Sequence, residues 1–335
     1  MSEILVRVYR GDLVESVHRG SAAVVSKKGE LLYSVGDPYH ITYMRSSAKP
    51  LQALPVVESG ALEEYGINKR ELATIVASHS GEDTHIKAVR SILDKIGLDE
   101  SYLRCGTHMP YATEAKKKLF REGKDPTPIY NNCSGKHAGM LLLSKMKEYP
   151  LDSYYKPDHP LQREVLRTIK HITRHEDIQI GIDGCGVPVF GMPLYNMALG
   201  FARFGNPVDL KETAASRIKN AMQRYPEQVA GTDRFDTDLM KATKKLISKA
   251  GAEGVHCIAL LNDGIGIAMK IDDGGSRARA PAMMQILKKM DVLDKEELKK
   301  LEKYRNPKNK NHHGDIVGRI VSAFDLHSSL EREKI

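Results

Sequence analysis

The sequence predicts an α/β protein in which strands from both ends of the chain form one sheet and helices fill the middle. Residues 4–35 contain three β-compatible runs separated by turn signals. Near the other end, Asn262-Asp263-Gly264 lies between two apolar runs, which is a strong hairpin signal. Between these regions, apolar residues recur mostly at helical spacing. This arrangement favours a sheet with a helical lobe beside it.

The N-terminal strands are indicated by alternation and by turns. Val6 and Val8 alternate with polar residues, and apolar or β-branched runs follow at residues 22–25 and 31–35. Gly11 and Gly29 stand in the two turns between these runs. We expect three strands here.

The middle of the chain shows helical periodicity with caps and breakers. Helices are predicted at Asn68–Ala77, Thr84–Ile96, Ala138–Glu148, Leu161–Thr173 and Pro193–Phe204. A short buried strand is expected at Ile178–Ile182.

Strands return at Val255–Leu261 and Ile265–Ile271, and a helix is predicted at Arg277–Met290. The chain has no internal repeat and no low-complexity linker. We therefore expect a single domain over residues 1–335. Its sheet would come from about 1–40 and 250–330, and its helical lobe from about 45–245.

Composition is that of a soluble globular protein, with 41% hydrophobic and 28% charged residues. The apolar runs are far shorter than the roughly 20 residues that span a bilayer, so no membrane association is expected. The start of the sequence has no signal-peptide core, and we expect a cytoplasmic protein.

A net charge of +8 raises the question of nucleic-acid binding. The basic clusters at residues 116–121, 241–249 and 288–310 are interrupted by acidic or apolar residues at helical spacing. They are interpreted as solvated helix faces, and no nucleic-acid partner is expected. Trp is absent, which also disfavours base stacking. The four cysteines have no tight pair spacing and are expected to be thiols or metal ligands.

Ser46-x-x-Lys49 is the first candidate for chemistry. On a helix these positions share one face, so the hydroxyl and the amine could form a nucleophile–base pair. Such a lysine acts as a base only when neutral, which requires burial or a nearby cation. Pro50 is expected in the first helical turn. The alternative is a plain helix start in which a serine serves as the cap.

The stretch from Ser78 to Asp83 follows a predicted helix and is small or polar throughout. It could form a turn that presents a hydroxyl and a carboxylate to a ligand. Alternatively, it is a connection in which Ser80 or Asp83 caps the next helix.

Two stretches combine cysteines with other polar groups. Cys133, Lys136 and His137 precede an apolar helix, whose N-terminus would favour a thiolate. Asp183 and Cys185 follow a predicted strand. The two cysteines could share one zinc ion, or each could be an inert buried thiol.

Lys249 stands before Gly251 and Gly254 and ahead of a predicted strand. A lysine at a sheet edge is suited to binding a carboxylate or to perturbing a second lysine. The alternative is the last turn of a helix, with Gly251 as its C-cap. Cys257, on the strand that follows, is interpreted as a packed thiol.

Together these stretches resemble the asparaginase II family over nearly the whole chain. The resemblance rests on RSSAKPLQALP, ASHSGE, NNCSGKHAGML, IDGCGVPVF, AGTDRFDTDLM and KAGAEGV, which occur in that order. It implies an α/β sandwich similar to the serine β-lactamase/glutaminase fold, with an antiparallel sheet, helices packed on it and a mostly helical lobe.

The resemblance also implies a function, the hydrolysis of L-asparagine to L-aspartate and ammonia through an acyl-serine intermediate. It implies two serine–lysine pairs, Ser46 with Lys49 and Ser78 with Lys249. The implied substrate-site residues are Arg45, His79, Ser80, Glu82, Asn132, Gly135, His137 and Asp183. One zinc ion is implied beside the site, with Cys133, Lys136 and Cys185 as its ligands. A homodimer is expected.

Within this hypothesis Ser46 is favoured as the nucleophile, because the shorter spacing defines its pair better. Arg45 would suit the α-carboxylate of the substrate, Asp183 its ammonium group, and backbone N–H groups at the start of the Ser46 helix its oxyanion. Whether glutamine is also cleaved, and whether zinc is required, stay open.

Three other functions remain as alternatives. A penicillin-recognising or glutaminase-type acyl-serine hydrolase also uses S-x-x-K, although this chain has no S-D-N element. A zinc-stabilised nucleic-acid-binding protein would use the basic faces. A cysteine hydrolase would use Cys133 with His137.

Overall fold

The computed structural model describes residues 1–207 and 214–328. Its strands are β1 (Glu3–Arg10), β2 (Leu13–Ser26), β3 (Leu31–Val35), β4 (Ile41–Tyr43), β5 (Gln179–Ile182), β6 (Pro188–Pro193), β7 (Leu246–Ala250), β8 (Val255–Leu260), β9 (Ile265–Ile271), β10 (Lys308–Lys310), β11 (Ile316–Ser322) and β12 (His327–Ser328).

The helices begin with α1 (Lys49–Gln52), α2 (Leu54–Glu58), α3 (Ala61–Glu64), α4 (Lys69–Ile75), α5 (Asp83–Lys95), α6 (Thr113–Arg121), α7 (Ser134–Met146) and α8 (Pro160–Thr173). They continue with α9 (Leu194–Gly205), α10 (Ala214–Arg224), α11 (Pro226–Val229), α12 (Phe235–Ala242), α13 (Ser276–Lys289), α14 (Lys295–Lys300) and α15 (Glu302–Arg305). Short 3-10 helices span Arg45–Ala48, Glu100–Tyr102 and Pro128–Tyr130.

In the described part of the chain, nine strands form one antiparallel sheet. Its main order is β10-β11-β1-β2-β9-β8-β7, with β3 paired to β2 and β12 to β3. Gly20 of the long strand β2 pairs with Glu3 of β1 on one side and with Ile271 of β9 on the other. A side chain at Gly20 would collide with the Lys270 carbonyl, so β9 can lie this close only against a glycine. The predicted α/β class, with a sheet from both termini, is confirmed.

Helices cover this sheet and make the core. Helix α9 packs on β2, β8 and β9, and α13 contacts β1, β8, β9 and β11. Gly266 of β9 lets α9 approach closely, because an added Cβ would meet the Ala198 carbonyl. Phe201 and Phe204 of α9 are fully buried in this layer. The sheet therefore gives β7, at its edge, a rigid support.

A second, three-stranded sheet with the order β4-β6-β5 lies in the region expected to be helical. Only its strand β5 was predicted, and the prediction that this strand is buried is wrong. Ile180 and Ile182 are 47% and 60% exposed, because β5 is an edge strand that pairs with β6 alone. The small sheet places the residues after β4 and those after β5 close together.

The five predicted middle helices and the helix near residue 280 correspond to α4, α5, α7, α8, α9 and α13, and their predicted ends agree within a few residues. Pro50 lies in the first turn of α1, as predicted. The basic cluster at residues 241–249 is not one solvated helix face. Helix α12 ends at Ala242, and the buried strand β7 begins at Leu246.

Candidate active site

The Ser78 hydroxyl lies between two lysine side chains. Lys49 Nζ is 3.0 Å and Lys249 Nζ 2.9 Å from Ser78 Oγ. Ser78 follows α4, Lys49 is the first residue of α1, and Lys249 lies on β7. The helical lobe and the large sheet therefore both contribute residues to this group. Both lysines are almost fully buried, whereas Ser78 keeps 9% of its surface exposed. The serine is thus the one of the three that faces the outside.

The contacts of the two lysines differ. Lys49 Nζ also donates to the carbonyls of Ala77 and Asn132, at 2.6 and 3.4 Å, so it has three acceptors for the three hydrogens of an ammonium group. Within the described part of the chain, Lys249 Nζ makes one other hydrogen bond, to the Ala250 carbonyl at 3.0 Å. Burial, followed by repulsion from Lys49, lowers the pKa of Lys249 to about 7. A neutral Lys249 can therefore accept a proton from Ser78.

Ser46 is near this group along the chain but is not joined to it by a side-chain bond. The Lys49 backbone N–H donates to the Ser46 carbonyl. Across residues 1–207 and 214–328, no hydrogen bond reaches the Ser46 hydroxyl, whereas Ser47 Oγ donates to the Met44 carbonyl at 2.7 Å. Of the two expected pairs, Ser78 and Lys249 are hydrogen-bonded to each other. Lys49, the expected partner of Ser46, is hydrogen-bonded to Ser78 instead.

Arg45 and Asp183 form an ion pair, in which Arg45 Nη2 is 2.9 Å from Asp183 Oδ1. The same oxygen accepts hydrogen bonds from Arg45 Nε at 3.0 Å and from the Gly184 N–H at 2.8 Å. Burial alone would raise the pKa of Asp183, but Lys136, Arg45 and the Gly184 N–H outweigh it and lower the pKa. Arg45 has a left-handed backbone, φ 50°, which costs a non-glycine residue about 1–3 kcal/mol. The small sheet holds this pair, since β4 precedes Arg45 and β5 precedes Asp183.

The loop that follows Ser78 is fixed by its own side chains. His79 is fully buried; its Nδ1 accepts from the Gly81 N–H, and its Nε2 lies 2.8 Å from Ser134 Oγ. Burial, then the neighbouring His85, holds the pKa of His79 well below its usual range. Ser80 Oγ donates to the Ala230 carbonyl, and Glu82 accepts from the Thr232 N–H and hydroxyl. Ser80 and Glu82 therefore tie the Ser78 loop to residues 230–232, and His79 ties it to Ser134.

The loop before α7 contributes the remaining predicted residues. The Asn132 carbonyl accepts from Lys49, and its backbone N–H donates to His108 Nε2. Gly135 packs against the Thr74 carbonyl, where an added Cβ would collide, so it serves the contact between α7 and α4. His137 is fully buried, and burial followed by the Lys136 charge lowers its pKa to about 3. Its Nδ1 lies 2.7 Å from the Tyr154 hydroxyl, and its Nε2 has no partner among the described residues.

Cys133, Lys136 and Cys185 form a buried cluster. Lys136 Nζ donates to Cys185 Sγ at 3.0 Å. A hydrogen bond from Cys133, together with Lys136, outweighs burial and lowers the pKa of Cys185 to about 5. The hydrogen bond to Cys185, followed by burial, raises the pKa of Cys133 to about 12. No group of three or more His, Cys, Asp or Glu side chains in the described ranges is placed to hold a metal, so a third donor here would have to be the lysine. All four cysteines are free and buried.

The sequence profile of the L-asparaginase II family matches residues 6–322, nearly the whole chain. The chain belongs to the L-asparaginase II family. As a member it is an asparaginase-type amidohydrolase, a hydrolase that acts on amides.

Similar solved structures include Mglu in its native form, at 13% identity and a TM-score of 0.44, with 84% of this chain and 66% of Mglu covered. A β-lactamase from Mycobacterium bovis matches at 14% identity and a TM-score of 0.42, with 85% of this chain and 95% of that one covered. The chain thus spans just under two thirds of Mglu. A search among curated proteins found no match. None of the described helices has the length and apolar character needed to cross a membrane.

The structure also adds residues to the asparaginase II site that sequence motifs did not single out. Tyr154 holds His137, and Arg234 lies over the Tyr111 ring with its Nη1 3.4 Å from Ser80 Oγ. Asp236, on α12, contacts both neighbours of Lys249. Asp236 and Arg234 lie within a family motif, which was the available signal; nothing in the sequence marks Tyr154.

Proposed function

We propose that this protein is an L-asparagine amidohydrolase that releases L-aspartate and ammonia through an acyl-enzyme formed on Ser78. The observation that carries the proposal is the Ser78 hydroxyl within hydrogen-bond distance of two buried lysine nitrogens. A serine becomes nucleophilic when a neutral base takes its proton, and Lys249 meets that requirement near neutral pH. This replaces Ser46, the serine favoured from spacing alone, as the proposed nucleophile.

Ser78, Lys249 and one water molecule account for every proton transfer in the proposed reaction. Neutral Lys249 takes the Ser78 proton while Oγ attacks the side-chain amide carbon of asparagine. The carbon–nitrogen bond breaks, and the Lys249 ammonium group returns the proton to the departing ammonia. Water then attacks the ester, Lys249 takes its proton, and the proton returns to Ser78 Oγ as that oxygen leaves. Lys49 donates to three acceptors, one of which is Oγ, and so holds that oxygen in place.

Arg45 and Asp183 suit the two charged groups of an amino acid. Arg45 has a planar guanidinium group for the α-carboxylate. Asp183 already uses Oδ1 for Arg45 and Gly184, and its Oδ2 makes no hydrogen bond in the described parts of the chain. That oxygen would accept from the substrate ammonium group. The His137 Nε2, which has no partner among the described residues, is a further group that we assign to the substrate side. The Ser46 hydroxyl, which makes no hydrogen bond within the described ranges, is another.

The cluster of Cys133, Lys136 and Cys185 fits the zinc ion that the sequence led us to expect. Zinc bonds of about 2.3 Å to sulfur and 2.0–2.1 Å to nitrogen place tetrahedral ligands about 3.5 Å apart. Lys136 Nζ and Cys185 Sγ are 3.0 Å apart, so a small opening would suffice. Binding would require Cys133 and Lys136 to lose protons. A bound zinc ion would supply a fixed positive charge near Asp183.

The direct test is ammonia release from L-asparagine and from L-glutamine, with and without a chelator. We expect faster release from asparagine. Hydrolysis of a chromogenic β-lactam without ammonia release would favour the penicillin-recognising alternative. Salt-sensitive RNA binding without any turnover would favour the nucleic-acid-binding alternative. The expected homodimer and cytoplasmic location stay predictions, and sedimentation equilibrium tests the first.

A further inference from the structure

The Asp236 carboxylate contacts the residues on both sides of Lys249. Its Oδ1 accepts from Ser248 Oγ at 2.7 Å, and its Oδ2 accepts from the Ala250 backbone N–H at 3.0 Å. Asp236 lies on α12 and is only 4% exposed. This one carboxylate thus connects helix α12 to Ser248 and Ala250, the two residues that flank Lys249 in strand β7.

These contacts matter because β7 is the last strand of the sheet. Among the described strands it pairs with β8 alone, with Lys249 opposite Cys257. The other side of an edge strand has backbone groups without a strand partner, and a shift of one residue would move Lys249 to the opposite face. Asp236 accepts a hydrogen bond from the Ala250 backbone N–H, on the side of β7 away from β8. It therefore fixes the position of the strand at the residue after Lys249.

Asp236 also brings a buried negative charge near Lys249. The charged or titratable groups that act on Lys249 are Lys49, Asp236, Arg234 and Cys133. Asp236 is in turn surrounded by His256, whose Nε2 is 3.0 Å away, by Lys249 and by the buried Arg279. Burial would raise the pKa of Asp236, but these neighbours outweigh it and lower the pKa strongly, so the residue stays charged. Its charge favours a proton on Lys249, against burial and Lys49.

We propose that Asp236 is the positioning residue for Lys249: it fixes the edge strand that carries the base, and its negative charge acts on that base. The inference rests on the role of Lys249 in the proposed function, and it adds a residue that does not touch the substrate.

The main test compares Asp236→Asn with Asp238→Asn. Asp238 lies on the same helix but contacts Lys303 and Tyr304, so its variant receives the same chemical change away from Lys249. In Asp236→Asn the side-chain amide oxygen can still accept one hydrogen bond, but the side chain has no charge. We expect kcat to fall at least about tenfold, KM to change less than about threefold, and the low-pH limb of kcat/KM to move to lower pH. Asp238→Asn should behave as wild type. Unchanged kcat and an unmoved limb in Asp236→Asn would overturn the inference.

A second readout does not depend on the substrate. The rate at which a fluorophosphonate labels Ser78 reports on proton removal by Lys249, and its pH dependence should shift in the same direction in Asp236→Asn. If wild type is labelled but releases no ammonia from asparagine, the substrate proposal fails while a shifted labelling limb still supports the inference. If turnover is present and the labelling limb does not move, the inference alone fails.

Ser248→Ala covers the case in which Asp236→Asn does not fold. It removes the contact to Ser248 Oγ and keeps the charge. We expect kcat to fall about two- to tenfold with the pH limb in place. Wild-type kcat in this variant would count against a positioning role.

Discussion

Lys249 Nζ lies 2.9 Å from Ser78 Oγ, although 171 positions separate the two residues along the chain. The contact joins the edge strand of the large sheet to the loop that ends α4 in the helical lobe. A second lysine from the start of α1 approaches the same oxygen at 3.0 Å. Two cations cannot share one buried site without cost, so the arrangement favours one charged and one neutral lysine.

Activity should rise with pH around neutrality. Burial and Lys49 lower the pKa of Lys249 to about 7, and the lysine is a base only when neutral. We expect kcat/KM for asparagine to increase about tenfold per pH unit below about pH 7 and to level off above it. The measurement is a kcat/KM profile from about pH 5 to pH 9. A kcat/KM that still rises about tenfold per pH unit up to pH 9, as the usual lysine pKa of about 10.4 would require, would contradict this assignment.

Arg45→Lys should weaken substrate binding more than it slows chemistry. A lysine ammonium group cannot reproduce the paired N–H groups of the guanidinium, and it would also loosen the contact to Asp183. A charge-assisted bond contributes about 1.5–3 kcal/mol, so we expect KM to rise roughly ten- to hundredfold with a smaller change in kcat. Arg104→Lys, at an exposed side chain that bonds only the Ser101 carbonyl, is the matched control. An unchanged KM would remove Arg45 from substrate binding.

Zinc binding should depend on two of the four buried cysteines. We expect about one zinc ion per wild-type chain by elemental analysis, with affinity decreasing as pH falls, because the thiol and the amine must lose protons. Cys133→Ser and Cys185→Ser should lose most of this zinc. Cys257→Ser is the control, since Cys257 is a buried thiol that contacts Ser47. Equal zinc content in all three variants would contradict the proposed ligands.

Tyr154→Phe should destabilise the fold through His137. The Tyr154 hydroxyl lies 2.7 Å from His137 Nδ1 and accepts from the Arg104 backbone N–H at 2.9 Å, and the Tyr154 and His137 side chains are both fully buried. Its removal leaves buried polar groups unpaired, and we expect a loss of about 1–3 kcal/mol in the free energy of unfolding from urea titration. For the neighbouring Tyr155, whose hydroxyl makes no hydrogen bond within the described ranges, Tyr155→Phe should cost less than about 0.5 kcal/mol. Equal stability of both variants would show that the Tyr154 contacts contribute nothing.

The sequence predicted the elements whose patterns are local. Alternation indicated β1 and the turn at Asn262–Gly264 indicated the β8–β9 hairpin, while helical periodicity placed helices such as α8 and α9. Strand β4 has only three residues, and β6 contains Pro188, Gly191 and Pro193, so both have little local strand signal. The lysine-rich segment before Lys249 resembled a solvated helix, but pairing with β8 makes it a buried strand.

The site shows the same limit. The motifs named Lys49, Ser78 and Lys249, because each occurs in a recognisable stretch. Spacing then favoured Ser46 as the partner of Lys49, since only neighbours along a helix can be judged from sequence. The Lys49–Ser78 contact spans 29 positions and depends on how α1 packs against the end of α4. Asp236 was passed over for the same reason, because its contacts lie across α12 and β7.

The central claim is that Ser78, held between Lys49 and Lys249, is the nucleophile. The most direct measurement is to mix Ser78→Ala, Ser46→Ala and wild type with L-asparagine, follow steady-state ammonia release, and examine acid-quenched protein by peptide mass spectrometry. We expect an acyl group on Ser78 in wild type and in Ser46→Ala. For Ser78→Ala we expect a loss of at least about 10³-fold in kcat. An acyl group on Ser46, or near-wild-type turnover in Ser78→Ala, would contradict it.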